Sequence, residues 1–560
     1  LIGIAAALPL LLEGRTLKAA EAHKRGVVDE LVPHGTAQER ARAWLLSGRA
    51  SAVARWDAKG WKFPGGGGAM DPRAVQTFIA AVAMTRSKTG GNYPAPQAIL
   101  SAVFEGSVVA LDAALAIETR YFARLFQEGT AARMIRTLFV NKGRADKLVR
   151  RPAGQPPTNL RCIGILGAGM MGAAIAYVAA QAGIGVVLID RDEAAAAKGK
   201  DYARGLLDKA QARGRIGAAE AAEVLARIHS TARYEPLSDV QLVIEAVFEN
   251  RAVKAEVTRH AEAAMPADAI FASNTSTLPI TGLAEASARP TQFIGIHFFS
   301  PVDKMPLVEV IRGAQTSDRA LAVALDLVKA LKKTPIVVND ARGFYTTRFV
   351  STYILEGQAL LLEGVPSALI DNAGRLAGMP VGPLALADEV ALDLSYKIRQ
   401  QWKQDLGSAY VAHPGEAVND ALVLGHGRHG RKNGKGFYDY PAGGGKKTLW
   451  PGLADLFAPR TPLPALEDIK QRLLAVQALE AVRCLEQGVL THADDGDVGA
   501  VFGLGFAPFT GGPLSLIEAI GPREFVVRCQ ALAAVHGARF APPALLLDMA
   551  ERGMTAFERG

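Results

Sequence analysis

Two side chains in a largely apolar stretch, His297 and Glu309, are suited to acid–base chemistry. His297 lies in Gly-Ile-His-Phe-Phe-Ser-Pro at 295–301, and Glu309 lies in Met-Pro-Leu-Val-Glu-Val at 305–310. A histidine at the end of a strand is more often structural than catalytic. A carboxylate in an apolar strand, however, can bind one ring nitrogen, fix the tautomer and leave the other nitrogen as a general base. The pair is therefore a candidate catalytic dyad.

A glycine-rich motif follows a strand-like segment and precedes a helical one, with glycines at Gly167, Gly169 and Gly172. The first allows a tight turn, the second lets the backbone approach a pyrophosphate, and the third allows close helix packing. Asp190 follows Gly172 by eighteen residues and ends the next strand-like segment. A carboxylate there binds the ribose hydroxyls and favours NAD over NADP, although the adjacent Arg191 weakens that preference. We therefore predict an NAD site.

Strand-like and helical segments alternate through residues 159–340, which predicts an α/β, Rossmann-type domain with a parallel, doubly wound sheet. The predicted strands are Cys162–Leu166, Val186–Asp190, Leu242–Ala246, Ile270–Ser273, Phe293–His297, Val308–Ile311 and Pro335–Val338. Beyond residue 340 the strand signal stops, and helical patterns continue to the end of the chain. The carboxyl ends of parallel strands would gather the candidate residues at one edge of the sheet.

Two segments of the helical region resemble each other in sequence. Gly364-Val365 followed by Gly382-Pro383-Leu384 resembles Gly488-Val489 followed by Gly512-Pro513-Leu514. This pattern predicts two repeated all-α domains, at 341–445 and 460–560, separated by a Gly- and Pro-rich stretch. Asp494, Asp495 and Asp497 lie close together in the second copy. Because the terminal Glu of a calcium-binding loop is missing, we interpret them as part of a structural turn and predict no metal site.

Two segments precede the α/β domain. Residues 1–60 predict two helices and a short strand at Val27–Val32, which together make only a fragment of a domain. Residues 61–158 predict helices and then a basic, Pro-rich linker that ends in Pro152-Ala153-Gly154-Gln155-Pro156-Pro157. We interpret the basic residues of this linker as a solvated face between domains. The chain begins with Leu-Ile-Gly, and we interpret position 1 as an internal point of a longer protein.

Composition narrows the class of protein. The 560 residues are 49% hydrophobic and 21% charged, which excludes a disordered or small disulfide-stapled chain. A net charge of +8 favours acidic ligands; nucleic acid is the weaker alternative, because no nucleic-acid-binding motif accompanies the charge. Three widely spaced cysteines fit a reducing, cytoplasmic compartment. The uncharged segment Cys162–Ile189 is punctuated by glycines, so we expect no integral membrane association.

Residues 160 to about 440 resemble the L-3-hydroxyacyl-CoA dehydrogenases. The shared motifs are the glycine-rich turn, Val-Ile-Glu-Ala-Val-Phe-Glu-Asn at 243–250, Ser-Asn-Thr-Ser at 273–276, His-Phe-Phe-Ser-Pro at 297–301 and Met-Pro-Leu-Val-Glu-Val at 305–310. The resemblance implies that His297 is the catalytic base, that Glu309 is its partner, and that Ser276 contacts cofactor and substrate. It also implies a wider set of cofactor-binding residues: Gly167, Gly169, Met171, Gly172, Asp190, Val247, Phe248, Glu249, Lys254, Ser276, Ser300 and Lys432.

Three positions depart from the family pattern, and they weaken what the resemblance implies for the substrate side. Thr347 stands where the family usually has Asn, and its hydroxyl can still donate toward a thioester carbonyl, with a shorter reach. Ser300 replaces a common Asn, and Arg342 occupies a usual Pro position. We therefore include Thr347 among the candidate catalytic residues and expect rate or chain-length preference to differ.

The resemblance extends into the flanks. Residues 1–34 look like the closing part of a crotonase (enoyl-CoA hydratase) domain, and the whole arrangement resembles the α subunits of bacterial multifunctional fatty-acid β-oxidation complexes. This implies oxidation of L-3-hydroxyacyl-CoA to 3-ketoacyl-CoA and a thiolase β subunit as partner in a hetero-oligomer. Hydratase (lyase) activity is expected only of a full-length form, since that family's catalytic residues precede this segment. The alternative is a catalytically weak scaffold for the thiolase.

Overall fold

The computed structural model describes residues 1–66 and 68–559 and divides the chain into two compact units, Leu1–Ala132 and Arg133–Gly560. Gly67, in the glycine run at 65–68, and Gly560 lie outside the described residues. Each unit is considered by itself. Within the described ranges, none of the helices combines the length and apolar character needed to cross a membrane.

The first unit consists of helices around a small apolar core that includes Ile4, Leu8, Phe78 and Leu100. The helices are α1 (Ile4–Glu13), α2 (Ala19–Lys24), α3 (Ala37–Leu46), α4 (Pro72–Thr89), α5 (Pro94–Gly106) and α6 (Leu111–Gln127). The strand predicted at Val27–Val32 is wrong, since this segment forms turns and irregular structure. A lone strand is unstable without a neighbour, and the described part of this unit contains no strand that it could pair with.

The basic segment that we expected to be a linker belongs to the second unit. It begins with α8 (Lys142–Asp146), which follows α7 (Thr130–Ile135) along the chain. Its arginines bind carboxylates instead of forming a solvated face: Arg150 Nε lies 3.1 Å from Asp495, and Arg151 Nε lies 2.9 Å from Asp326. These pairs could not be predicted from the local sequence, because the acidic partners lie more than 170 residues away along the chain.

An eight-stranded sheet forms the centre of the second unit, in the order β3-β2-β1-β4-β5-β6-β7-β8. The strands are β1 (Cys162–Leu166), β2 (Gly185–Ile189), β3 (Ile228–Thr231), β4 (Leu242–Glu245), β5 (Ile270–Ser273), β6 (Phe293–Phe298), β7 (Leu307–Arg312) and β8 (Thr334–Asn339). The helices between them are α9 (Met170–Gln181), α10 (Glu193–Ala212), α11 (Ala218–Ala226), α12 (Arg251–Ala264), α13 (Ile280–Ala284) and α14 (Asp318–Ala330). All seven predicted strands are confirmed. The unpredicted β3 is an edge strand of four residues, of which only Ile228 is a buried apolar residue, so its apolar signal is weak.

The expectation of a fully parallel sheet is wrong at one pair. β6 and β7 are antiparallel, with His297 opposite Glu309, whereas the other neighbouring pairs are parallel. Only residues 299–306 connect these two strands. A parallel connection needs a crossover of about a dozen residues or more, so the chain must turn straight back.

Helices dominate the remainder, as predicted. They are α15 (Thr346–Leu362), α16 (Ser367–Leu376), α17 (Pro383–Val390), α18 (Leu392–Leu406), α19 (Glu416–Asp420), α20 (Gly452–Leu456), α21 (Leu466–Glu486), α22 (Ala493–Leu504), α23 (Pro513–Ile520), α24 (Pro522–His536) and α25 (Ala544–Glu551). A small antiparallel pair, β9 (Tyr438–Asp439) and β10 (Thr448–Leu449), was not expected, because two residues are too few to show a periodic pattern. The predicted turn at Asp494–Asp497 is instead the start of α22.

A buried ion cluster joins α15 to the C-terminal helices. Glu356 is fully buried and accepts from Arg472 Nε at 2.8 Å and from Arg539 Nε at 2.6 Å, while Glu363 pairs with Arg472 Nη1 at 2.7 Å. His413 lies beside this cluster, with Nε2 3.9 Å from Glu356. Its Nδ1 accepts the backbone N–H of Gly415 at 3.1 Å, so the proton of the neutral ring is on Nε2.

His413 makes the stability of the protein pH-dependent. Burial lowers the pKa of His413 from 6.5 to about 4, with Arg539 and Arg472 adding to the effect and Glu416 opposing it. In the unfolded chain His413 is protonated below pH 6.5, whereas in the folded protein it is protonated only below about pH 4. The unfolded state therefore binds more protons between these two pH values. We expect this residue to remove about 3 kcal/mol of unfolding free energy as the pH falls through that window.

Chemical denaturation at a series of pH values measures this loss. In a His413→Gln variant the slope of unfolding free energy against pH should be shallower than in the wild type between pH 6.5 and 4. His426→Gln, at an exposed loop position, is the matched control and should keep the wild-type slope. Identical slopes for wild type and His413→Gln would contradict the assignment.

Candidate active site

Antiparallel pairing of β6 and β7 places His297 directly opposite Glu309. The two side chains meet through Nδ1 of His297 and Oε2 of Glu309, which are 3.0 Å apart. Glu309 is fully buried, whereas 8% of His297 is exposed. With Nδ1 bound to a carboxylate, the proton of the neutral ring lies on Nδ1 and Nε2 is left to accept another. The dyad therefore has the geometry of an oriented general base.

The amino end of α15 holds Glu309 in place. Its Oε1 accepts the backbone N–H groups of Tyr345 and Thr346, each at 3.0 Å, and its Oε2 also accepts the hydroxyl of Thr346. A helix amino end favours negative charge, so these donors stabilise the carboxylate. Thr346 was not predicted. Its signal in the sequence was its position at the first turn of the helix that follows Gly343-Phe344.

Ser276 and Thr347, which were both predicted to belong to the site, lie in contact in the structure. The Thr347 hydroxyl donates to the backbone carbonyl oxygen of Ser276 at 2.8 Å. Thr347 thus binds the loop that carries Ser276, in addition to any role toward a substrate. The Ser276 side chain is half-buried and has no polar partner among the described residues, so its hydroxyl remains available to a ligand.

Glu249 organises the same loop. Its Oε1 accepts the hydroxyls of Thr275 at 2.6 Å and Thr277 at 2.9 Å, and the backbone N–H groups of Ser276 and Thr277 at 3.2 Å. Burial raises the pKa of this carboxyl, but the charge of Lys254 and the two threonine hydroxyls outweigh burial and hold the pKa below its ordinary value. Glu249 therefore acts as an anionic anchor for the Ser-Asn-Thr-Ser loop.

Lys254 lies beneath this loop, with 2% of its surface exposed. Its ammonium binds both oxygens of Glu245, at 2.8 and 3.0 Å, and Oε2 of Glu249 at 3.3 Å. Glu245, at the end of β4, was missed by the sequence analysis. An acidic residue in an apolar strand was the available signal, and the same signal had identified Glu309.

The glycine motif has the predicted shape. Gly167 has φ +96°, and a Cβ at this position would lie 2.7 Å from the carbonyl oxygen of Ala246. A Cβ on Gly172 would overlap the carbonyl oxygen of Gly167, whereas open space surrounds Gly169. Gly169 is also the N-cap of α9, and no side chain caps that helix. The uncapped N–H groups and the open space fit a dinucleotide pyrophosphate.

The other predicted cofactor residues differ in their contacts and in their exposure. Oδ2 of Asp190 accepts the N–H of Ala168 at 2.6 Å, which places its carboxylate against the glycine turn. Met171 and Val247 are half-buried, Phe248 is 85% exposed, and Ser300 is exposed. These positions stay predictions for cofactor contact.

Among the described residues, no contact joins Lys432 to the glycine turn. Its ammonium binds Asp393 at 2.8 Å, at the start of α18. The other end of α18 approaches the cofactor side, because Asp405 binds Arg251 at 2.7 Å and also Arg342. At 1.5 Å per residue, Asp393 and Asp405 are about 18 Å apart along the helix. Contact between Lys432 and the cofactor stays a prediction.

Comparison with known proteins identifies related sequences. Residues 162–341 match the model of the 3-hydroxyacyl-CoA dehydrogenase, NAD binding domain, and residues 343–440 match that of the 3-hydroxyacyl-CoA dehydrogenase, C-terminal domain. A curated relative, fatty acid oxidation complex subunit alpha of Shewanella amazonensis, is 36% identical over 565 residues, which cover 100% of this chain and 78% of that protein.

Two solved structures share the fold. The 3-hydroxybutyryl-CoA dehydrogenase of Escherichia coli K12 aligns with a TM-score of 0.61 at 24% identity, over 71% of this chain and 99% of that chain. The dehydrogenase part of multifunctional enzyme 1 from C. elegans aligns with a TM-score of 0.53 at 22% identity, over 73% of this chain and 96% of that chain. These alignments extend beyond the sheet into the helical region.

Proposed function

This chain belongs to the 3-hydroxyacyl-CoA dehydrogenase family, and we propose that His297 and Glu309 carry out the proton chemistry of its reaction. The reaction is the NAD-dependent oxidation of an L-3-hydroxyacyl-CoA to the 3-ketoacyl-CoA in fatty-acid oxidation. The observation that carries the proposal is the 3.0 Å contact between Nδ1 of His297 and Oε2 of Glu309. His297 lies near the carboxyl end of β6, which is parallel to β5, and ligands meet such sheets at that edge.

In the proposed mechanism, Nε2 of His297 accepts the proton of the substrate 3-hydroxyl. NAD, if held by the glycine turn, would supply the acceptor for the hydride that leaves C3. Glu309 stabilises the imidazolium that forms on His297. The amino end of α15 keeps the carboxylate of Glu309 fixed during the transfer. The Ser276 hydroxyl, on the loop that Glu249 and Thr347 hold, orients substrate and cofactor. The glycine turn and Asp190 bind the pyrophosphate and ribose.

We also propose that 460–560 repeats 341–445. The support is a shared capping arrangement. In the first copy, buried Asp371 accepts the N–H groups of Leu384 at 2.8 Å and Ala385 at 3.1 Å, at the start of α17. In the second, buried Asp497 accepts those of Leu514 at 2.9 Å and Ser515 at 3.3 Å, at the start of α23. In both copies the N-cap and first residues of the helix are Gly-Pro-Leu, and a buried aspartate accepts N–H groups of its first turn, which supports the proposed repeat.

The relative named as subunit alpha of a fatty acid oxidation complex supports a partner subunit for this chain. We propose that the partner is a thiolase, that residues 1–60 derive from a crotonase domain, and that the protein acts in the cytoplasm. Three free cysteines support a reducing compartment. No hydratase step is assigned to the residues described here.

The test of function is NADH formation by the purified chain with L-3-hydroxybutyryl-CoA and with a longer-chain L-3-hydroxyacyl-CoA. We expect turnover with NAD, slower turnover with NADP because of Asp190, and a chain-length ratio that reports the effect of Thr347. NAD binding without NADH formation from either substrate would refute the dehydrogenase proposal and favour the scaffold alternative.

A further inference from the structure

Helix α22 packs behind the catalytic dyad with one glycine-lined face. Gly496, Gly499 and Gly503 are spaced by three and four residues, so they lie on one side of the helix. A Cβ on Gly503 would overlap the side chain of Leu307, the first residue of β7. The close approach therefore brings α22 against the strand that carries Glu309.

Tyr345 lies between α22 and Glu309. Its side chain is fully buried, and its hydroxyl donates to the backbone carbonyl oxygen of Gly496 at 2.8 Å. Its backbone N–H donates to Oε1 of Glu309 at 3.0 Å. One residue thus binds α22 through its side chain and the carboxylate of the dyad through its backbone.

Gly499 contacts both neighbours of Glu309. A Cβ on Gly499 would lie 3.1 Å from Cε1 of Tyr345 and 2.7 Å from Cδ1 of Ile336. Ile336, on β8, is the register partner of Glu309. A single added methyl group on α22 would therefore push against the ring of Tyr345, the residue whose backbone donates to Glu309, and against the side chain of Ile336 on the adjacent strand.

The backbone that leads into Tyr345 needs outside support. Phe344 is fully buried and has φ +47°, in the left-handed region that residues other than glycine rarely adopt. Such conformations persist only where the surroundings determine them. Burial raises the pKa of Tyr345 well above its ordinary value, so the phenol stays a neutral donor to Gly496. The bond of Tyr345 to Gly496 on α22 helps to hold this turn, together with the bonds of Tyr345 and Thr346 to Glu309.

We propose that Tyr345 is a positioning residue of the dehydrogenase reaction, through which α22 aligns Glu309 with His297. The inference rests on the proposed function of the dyad. Displacing the N–H of Tyr345 removes a donor from Oε1 and leaves more negative charge to favour the imidazolium of His297. The acid limb of the kcat profile should then move to higher pH, as well as the rate falling.

The experiment compares Gly499→Ala with Gly205→Ala, a matched substitution in α10 where an added Cβ meets nothing within 4 Å. For Gly499→Ala we expect kcat to fall by about tenfold or more, because small misplacements of catalytic groups are costly. The KM for NAD should stay within about twofold, since the glycine turn is untouched. The acid limb of kcat should move to higher pH. Gly205→Ala should match the wild type in all three.

Tyr345→Phe is the second variant, which keeps the ring and removes only the bond to Gly496. It should shift the acid limb in the same direction, and it decides the question if Gly499→Ala does not fold. An unchanged acid limb in the folded variants, with kcat either unchanged or lowered equally at every pH, would overturn the proposal and leave Tyr345 a packing residue. An inactive wild type would instead refute the proposed function.

Discussion

Replacing His297 with alanine is expected to lower kcat for NADH formation by about 10²–10⁴-fold, the usual loss when a general base is removed. Nδ1 of His297 is bound to Glu309 at 3.0 Å, so Nε2 is the nitrogen that the reaction loses. The pyrophosphate is expected to contact the glycine turn, so NAD should bind with its wild-type affinity. Stopped-flow absorbance of NADH and calorimetric titration of NAD measure the two quantities separately.

His229→Ala, at an exposed position of β3, is the matched control and should leave both quantities unchanged. Turnover by His297→Ala within a few-fold of the wild type would mean that another group accepts the proton. An equal loss of NAD affinity and of kcat would instead show that the substitution disturbs the fold.

Replacing Lys254 with methionine is expected to lower the free energy of unfolding by about 3–5 kcal/mol, because it leaves buried carboxylates without their partner. The ammonium lies 2.8 Å from Glu245 and 3.3 Å from Glu249, and both Lys254 and Glu245 are almost fully buried. Exposed ion pairs are worth about 0–1 kcal/mol, so the two cases are easily separated. Urea denaturation followed by circular dichroism measures the change.

Lys209→Met, at an exposed position of α10, supplies the control and should change stability by less than about 0.5 kcal/mol. The double variant Lys254→Met/Glu245→Gln should recover part of the loss, since it removes one of the stranded charges. If Lys254→Met and Lys209→Met unfold at the same urea concentration, the buried pair does not stabilise the fold as described. The single variant Lys254→Met should also weaken NAD binding, because Lys254 helps to hold Glu249 and the loop that Glu249 binds.

The sequence by itself determined the elements that depend on local pattern. Short apolar runs located all seven predicted strands, since a buried strand requires consecutive apolar residues. The glycine spacing located the turn, because a Cβ at Gly172 would overlap the backbone of Gly167. Out-of-place polarity in an apolar strand identified Glu309 and placed it with His297, a pairing that the register of β6 and β7 then supports.

Only the tertiary structure decided which distant groups meet. The antiparallel turn between β6 and β7 follows from the length of their connection. The basic segment that begins at Lys142 packs against the second unit because its arginines bind Asp326 and Asp495. Tyr345 and Thr346, which are adjacent at the amino end of α15, donate to Glu309, and Gly499 of α22 packs against Tyr345; no local periodicity encodes these contacts. Pairing across hundreds of residues depends on how the elements pack together, so it becomes visible only in the folded chain.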